Sequence, residues 1–156
     1  MRRADVTRQA KETDKPMSLF HFNFSAMVSR LWPQRAEAAD ASIRVLNLTR
    51  RTQLADRAQL AGNGRNRRKG LLGRDHLPCG EGLWIVPCEA VHTFWMRFPI
   101  DLVYLDRKHR IVKTRSHVGP WRLSACLRAH SVIELPAGTI GETQTMPGDT
   151  LALNRD

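Results

Sequence analysis

The chain has 156 residues, 42% of them hydrophobic and 26% charged, with a formal net charge of +10. At this length a folded core hides roughly two thirds of the surface of the unfolded chain, so no disulfide framework or structural metal is required. Ten glycines and eight prolines exclude a collagen-like or low-complexity chain, and no apolar run approaches the roughly 18 residues of a membrane span.

Residues 1 to 41 are predicted to form an N-terminal arm outside a single domain over 42 to 156. Residues 1 to 16 are polar and without apolar period, and Pro16 precedes a second methionine, Met17, which offers an alternative start. From Leu19 to Trp32, Phe20, Phe24, Met27, Val28 and Leu31 fall near helical spacing, while Phe20, Phe22 and Phe24 also alternate as a strand does. His21, Asn23 and Arg30 interrupt this stretch as a signal peptide, although Ala36 to Ala41 supply small residues suited to cleavage. Cys79, Cys88 and Cys126 are too few, and odd in number, for a disulfide-dense scaffold. They favour a cytoplasmic, reducing compartment, with export or envelope association as the alternative.

Beyond Pro33 the pattern turns short and β-like. Strands are predicted around 43–46 and 52–61, before the turn-rich Gly62-Asn63-Gly64. Residues 65 to 74 suit a short helix ended by Gly73. Further strands are expected at 83–86, 92–98, 100–106, 110–118, 131–135 and 150–153, divided by proline and glycine turns. Asp106 to His109 is a hairpin turn that lacks glycine. Many short strands with one short helix predict a mainly β fold, a small jelly-roll-like β-sandwich or a partly closed barrel.

The charge is uneven. Residues 41 to 76 carry 9 Lys and Arg against 2 Asp and Glu, whereas residues 77 to 156 carry 9 against 8. The excess centres on Arg65, Arg67, Arg68, Lys69 and Arg74, a patch able to meet phosphate or nucleic acid, or simply to act as a solvated face.

His92 to Asp101 is the most unusual segment. As a strand it places His92, Phe94, Met96 and Phe98 on one face and Thr93, Trp95 and Arg97 on the other, so it is buried on both sides or lines a pocket. Asp101 then stands at the edge of the core, where a carboxylate must accept backbone donors or pair with an arginine such as Arg67 or Arg74. Glu134, between Ile133 and Leu135, is in the same position. The two acids together suggest the flanks of a polar cleft.

The run Arg67-Arg68-Lys69-Gly70-Leu71-Leu72-Gly73-Arg74, then Gly80-Glu81-Gly82-Leu83, Phe94-Trp95-Met96, Pro99-Ile100-Asp101, Glu134-Leu135-Pro136-Ala137-Gly138 and Gly148-Asp149, resembles the family called domain of unknown function 192 over roughly residues 43 to 153. The resemblance implies a compact β-sandwich similar to a jelly roll, with a short helix at the arginine-glycine-leucine motif, and no established activity. The chain departs from the family pattern at Lys108-His109, where an Asp-Gly turn is usual. Many relatives look exported. Most family-like positions have structural reasons, and the polar groups left over are Arg67, Arg74, Trp95, Asp101 and Glu134. A tryptophan with carboxylates and guanidinium groups nearby holds a sugar or other small polar ligand by stacking and hydrogen bonds. The same residues also suit an arginine and acid network that pins the helix to the sheet.

Cys88 and His92 are four residues apart, as are Cys126 and His130, a matched pair of spacings that invites zinc. On a straight strand such residues are about 13 Å apart. Antiparallel pairing of the two segments would set Cys88 against His130 and His92 against Cys126. Three functions follow. The leading expectation is a noncatalytic binding or accessory domain for a small polar ligand or a protein partner. The alternatives are a metal-assisted hydrolase on Cys88, His92, Cys126 and His130 with Asp101 or Glu134 as base, and nucleic-acid binding through Arg65 to Arg74.

Overall fold

The computed structural model describes residues 42–155, and the arm expected over 1 to 41 lies outside them. Nine strands and two short helices follow in the order β1 (Ile43–Asn47), β2 (Thr52–Ala61), α1 (Gly64–Lys69), β3 (Glu81–Ile85), β4 (Ala90–His92), β5 (Ile100–Leu105), β6 (Ile111–Val118), β7 (Leu123–Ala125), β8 (Ser131–Pro136), α2 (Thr139–Glu142) and β9 (Leu151–Arg155). Seven strands form one sheet in the order β6-β5-β8-β3-β2-β1-β9, and β4 pairs with β7 as a separate ribbon. Only β2 and β3 run parallel, and parallel neighbours need a crossover. Residues 62 to 80 supply it and carry α1.

The sheet is curled. Arg110 bridges Thr150, and Ile111 N donates to Asp149 O at 2.8 Å while Leu151 N donates to His109 O at 3.0 Å. The two outermost strands therefore meet at one end, giving a half-closed barrel. Asp149 secures the closure by accepting from Asn47 Nδ2 at 3.0 Å, Arg50 Nε at 3.1 Å and Met146 N at 3.0 Å. Burial alone would raise its carboxyl, but the Asn47, Met146 and Arg50 hydrogen bonds win and hold it below the usual carboxylate range.

Each face of the sheet has its own core. Val103, Leu105, Ile133 and Leu135 pack with Ile43, Val45, Ala58, Ile140 and Leu151, side chains from strands far apart in sheet order, which only a curl brings together. Leu102, Tyr104 and Val132 instead pack with Ile85, Val91, Met96 and Leu71 on the other face. Every residue of β5 is buried as a result, which is why Ile100 to Leu105 reads as an almost continuous apolar run. Gly82 lies where β3 passes closest to its neighbours: a Cβ there would stand 3.2 Å from Glu134 O, 3.2 Å from Leu135 Cδ2 and 3.4 Å from Ala58 Cβ. Gly82→Ala is expected to cost about 1–3 kcal/mol through overpacking, read as a lower urea midpoint. An unchanged midpoint would show that β3 and β8 can move apart.

The glycine-free hairpin forms between β5 and β6. Asp106 Oδ1 accepts from Lys108 N at 2.8 Å and Arg110 N at 2.9 Å, and His109 takes the left-handed slot at φ 57°. Histidine is among the side chains that tolerate this region.

The strand expected over 92–98 ends at His92. Thr93 N donates to Arg122 O at 2.9 Å, Trp121 N donates to Thr93 O at 3.0 Å, and Thr93 Oγ1 donates to Gly119 O at 2.8 Å. Thr93 thus ties its segment to the loop before β7, and Met96 N turns back to Thr93 O at 3.2 Å. The alternation of residues 92 to 98 reflects this turn, with Met96 buried and Trp95 exposed, rather than two strand faces.

Candidate functional site

A cleft of about 480 Å³ opens on the Tyr104 face of the sheet, between α1 with the loop after it and the segment leading into β4. Glu134 lines it from β8. Strand alternation puts Ile133 and Leu135 in the inner core and turns Glu134 the other way, beside Ile85, Val91 and Met96. Its side chain is only 3% exposed, and Oε2 has no hydrogen-bond partner among the described residues. Burial pushes its carboxyl up to about 8, against a smaller downward pull from Arg74. Near neutral pH the group is a carboxylic acid, able to donate a hydrogen bond into the cleft.

Arg67, Arg68 and Lys69 of α1 stand over the same space. Asn63 caps α1, its Oδ1 accepting Asn66 N at 2.8 Å. Arg67 is fixed by Nη1 donating to Gly62 O at 2.7 Å and Val86 O at 3.3 Å. Cys88 and His92 come from the opposite wall. Burial raises the Cys88 thiol, which donates to Ala90 O at 3.2 Å. A protonated, hydrogen-bonded thiol is a poor nucleophile.

The five polar residues expected to cluster are divided. Arg67 and Glu134 share the cleft. Arg74 lies on the other side of α1, bound to Gln59 Oε1 at 2.8 Å and to Glu81 Oε2 at 3.4 Å, so it ties the crossover to β2 and β3. Asp101 belongs to the inner face. Leu102 is registered with Glu134 and Asp101 with Leu135, so the two acids point to opposite sides of the sheet and flank no common cleft. Asp101 Oδ1 accepts His117 N at 2.8 Å, and Oδ2 accepts Gly138 N at 3.1 Å and Ile140 N at 2.8 Å. These are the backbone donors such a buried carboxylate requires.

Trp95 is 66% exposed and stands 5.3 Å from Trp121, itself 56% exposed. Phe94 touches both and stacks on His92 at 5.2 Å with an 18° tilt. Trp95 and Trp121 both hold left-handed backbone, at φ 61° and 60°, an uncommon state for bulky residues. His92 joins this aromatic shelf to the cleft. Trp121, in a Gly-Pro-Trp turn, carries no sequence signal for this role.

The four residues of the alternative zinc reading are not brought together as one site among the described residues. β4 and β7 do run antiparallel, but His92 is registered with Leu123 rather than Cys126. Cys88 N donates to His130 O at 2.9 Å, a backbone contact only. Among the described residues no three His, Cys, Asp or Glu side chains converge as a metal site. No helix among them is long and apolar enough to cross a membrane.

Two solved structures share this fold. One is a Sinorhizobium meliloti 1021 protein described as a candidate transcription regulator, 21% identical, with a TM-score of 0.64 over 74% of this chain and 94% of that one. The other is a Novosphingobium aromaticivorans DSM 12444 protein of unknown function, 19% identical, with a TM-score of 0.62 over 71% and 83%. No curated protein matches the chain. The family described as "Uncharacterized ACR", domain of unknown function 192, matches residues 46–153. With more than half its length matched, and with the motif residues of α1, β3, β5 and β8 in order along the chain, the chain belongs to the domain of unknown function 192 family.

Proposed function

We propose that this domain is a noncatalytic binding module that seats a small polar ligand in the cleft over Glu134, with the aromatic shelf at Trp95 and Trp121 receiving the rest of the molecule. The observation that carries the reading is the buried, unpartnered Oε2 of Glu134, a residue that lines that cleft. Leaving such an oxygen without a partner costs about 1–3 kcal/mol, and a ligand that satisfies it recovers this. Enzyme chemistry is less well supported: Cys88 is a protonated thiol, and both Asp101 oxygens are engaged by backbone donors.

A thermal-shift screen of sugars and small polar compounds tests the reading. A ligand at about a hundred times its Kd stabilises by about 2.7 kcal/mol, a rise on the order of 10 °C. That rise is expected to vanish in Glu134→Leu, whose apolar side chain fills the same site without a stranded polar atom. Ligands that raise both melting temperatures equally would overturn the assignment to this cleft.

Nucleic-acid binding is the second reading, favoured by Arg65, Arg68 and Lys69, which are exposed on α1 and carry no ion pair among the described residues. The description of the Sinorhizobium relative points the same way. Binding of duplex DNA that falls steeply with salt would support it.

A further inference from the structure

Resting on the cleft reading above, we infer that the ligand presents a small oxyanion, a carboxylate or a phosphate, to Arg67 and to the unpartnered carboxyl of Glu134. The charge around the cleft is one-sided. Arg67, Arg68 and Lys69 face it from α1, whereas Glu89 is the only acid on the opposite wall. A cationic ligand would meet three like charges, and a neutral one would leave them unused.

Arg67 is suited to the task. Its Nη1 is spent on Gly62 O and Val86 O, which fixes the guanidinium. Among the described residues no acceptor takes Nε or Nη2, and a guanidinium edge with two donors left matches an oxyanion in fork geometry. Glu134 would repel an anion if it were ionised. Burial keeps its proton, so it adds a donor at the floor where Arg67 supplies donors above. A bound anion also favours the protonated carboxyl, and binding of anion and retention of proton reinforce each other.

The groups that titrate or carry charge toward Glu134 are few. Arg67, Arg68 and Lys69 come from α1, Cys88, Glu89 and His92 from the opposite wall, and Arg74 acts from behind α1. Because these charged and titratable groups share the cleft, the effect of Glu134 is read as a difference between variants.

The test is a titration of the full chain, followed by amide chemical shifts, with sodium succinate, inorganic phosphate, glucose and sodium chloride at matched ionic strength. Saturable shifts at Gly70, Leu71, Cys88 and Ala90 with succinate or phosphate, absent with chloride, are the expected result. Whichever of the two saturates identifies the carboxylate or the phosphate source. Succinate affinity is expected to fall about tenfold or more from a pH below about 8 to one above it. Glu134→Gln, which keeps an N–H donor on the same stem, should flatten that fall, and Glu134→Leu should weaken binding about tenfold or more at the lower pH. Arg68→Gln, at an exposed position with no structural hydrogen bond, should weaken both anions severalfold. Saturation by glucose alone would overturn the oxyanion inference and leave the cleft reading standing. Shifts no different from chloride with every probe would overturn both.

Discussion

Asp101→Ala is expected to lower stability by about 4 kcal/mol, seen as a fall in melting temperature on the order of 15 °C. The carboxylate does work that α2 cannot do for itself. That helix begins at Gly138 with no side-chain cap, and Asp101 reaches it from β5 to accept Gly138 N and Ile140 N. Its other oxygen holds His117 N at the end of β6, where the backbone is left-handed at φ 51°. Alanine strands all three donors, and Ile140 loses the anchor that keeps it in the inner core. Asp101→Asn should fall between the two, since it offers one acceptor oxygen and turns an N–H₂ toward a donor. A residue kept for chemistry behaves differently, because removing it commonly leaves stability unchanged or raises it. A melting temperature within about 3 °C of the parent for Asp101→Ala would reject the structural role.

The second large effect is on the pH dependence of unfolding. In the unfolded chain Glu134 returns to the ordinary value of 4.5, and in the fold burial pushes it to about 8. Between these values the folded state binds a proton that the unfolded state has released, so stability falls as pH rises. The contribution is fully present below about 4.5 and lost through about 8. The integrated loss is on the order of 5 kcal/mol. Glu134→Gln has no such proton to lose. Urea midpoints of the parent and of Glu134→Gln are therefore expected to converge toward acid and to separate toward alkaline pH, with the variant the more stable. Parallel curves across this range would show that Glu134 is ionised in the fold or reaches solvent.

Much of the fold could be read along the chain because local patterns and tertiary burial agree. Ile100 to Leu105 and Ser131 to Leu135 are apolar, β-branched runs closed by proline or charge, and both became central strands. Residues 65 to 74 follow an Asn-Gly start, and the short helix expected there formed as α1, although it ends at Lys69 with Gly70 as its cap rather than at Gly73. Residues 92 to 98 misled because their alternation is real while their hydrogen bonds go elsewhere: Thr93 bonds to the loop at 119 to 122 instead of a flanking strand. The site was half legible. Glu134 and Arg67 stood out as polar residues without a turn to serve, but which side of the sheet an acid faces depends on strand register. That property kept Asp101 and Glu134 apart. The same lack of register information left His92 against Leu123 instead of Cys126. Trp121 enters the shelf through the fold of two loops, which no local pattern announces.

The β4–β7 ribbon has a consequence for motion. Its two strands pair with each other and with no strand of the seven-stranded sheet, which reaches them through Lys113 Nζ donating to Ala125 O at 2.8 Å, so parting the ribbon from the sheet breaks no rung of the main ladder. Amides of β5 and β8, buried on both faces, are expected to exchange with solvent only when the whole domain opens, whereas the ribbon is expected to form a less protected layer. One wall of the cleft, with Cys88 and His92, is continuous with that layer, while its floor at Glu134 is built into the most protected strands. On that expectation the cavity combines a rigid base with a compliant side, and its mouth would adjust to guests of different size while Glu134 stays in place.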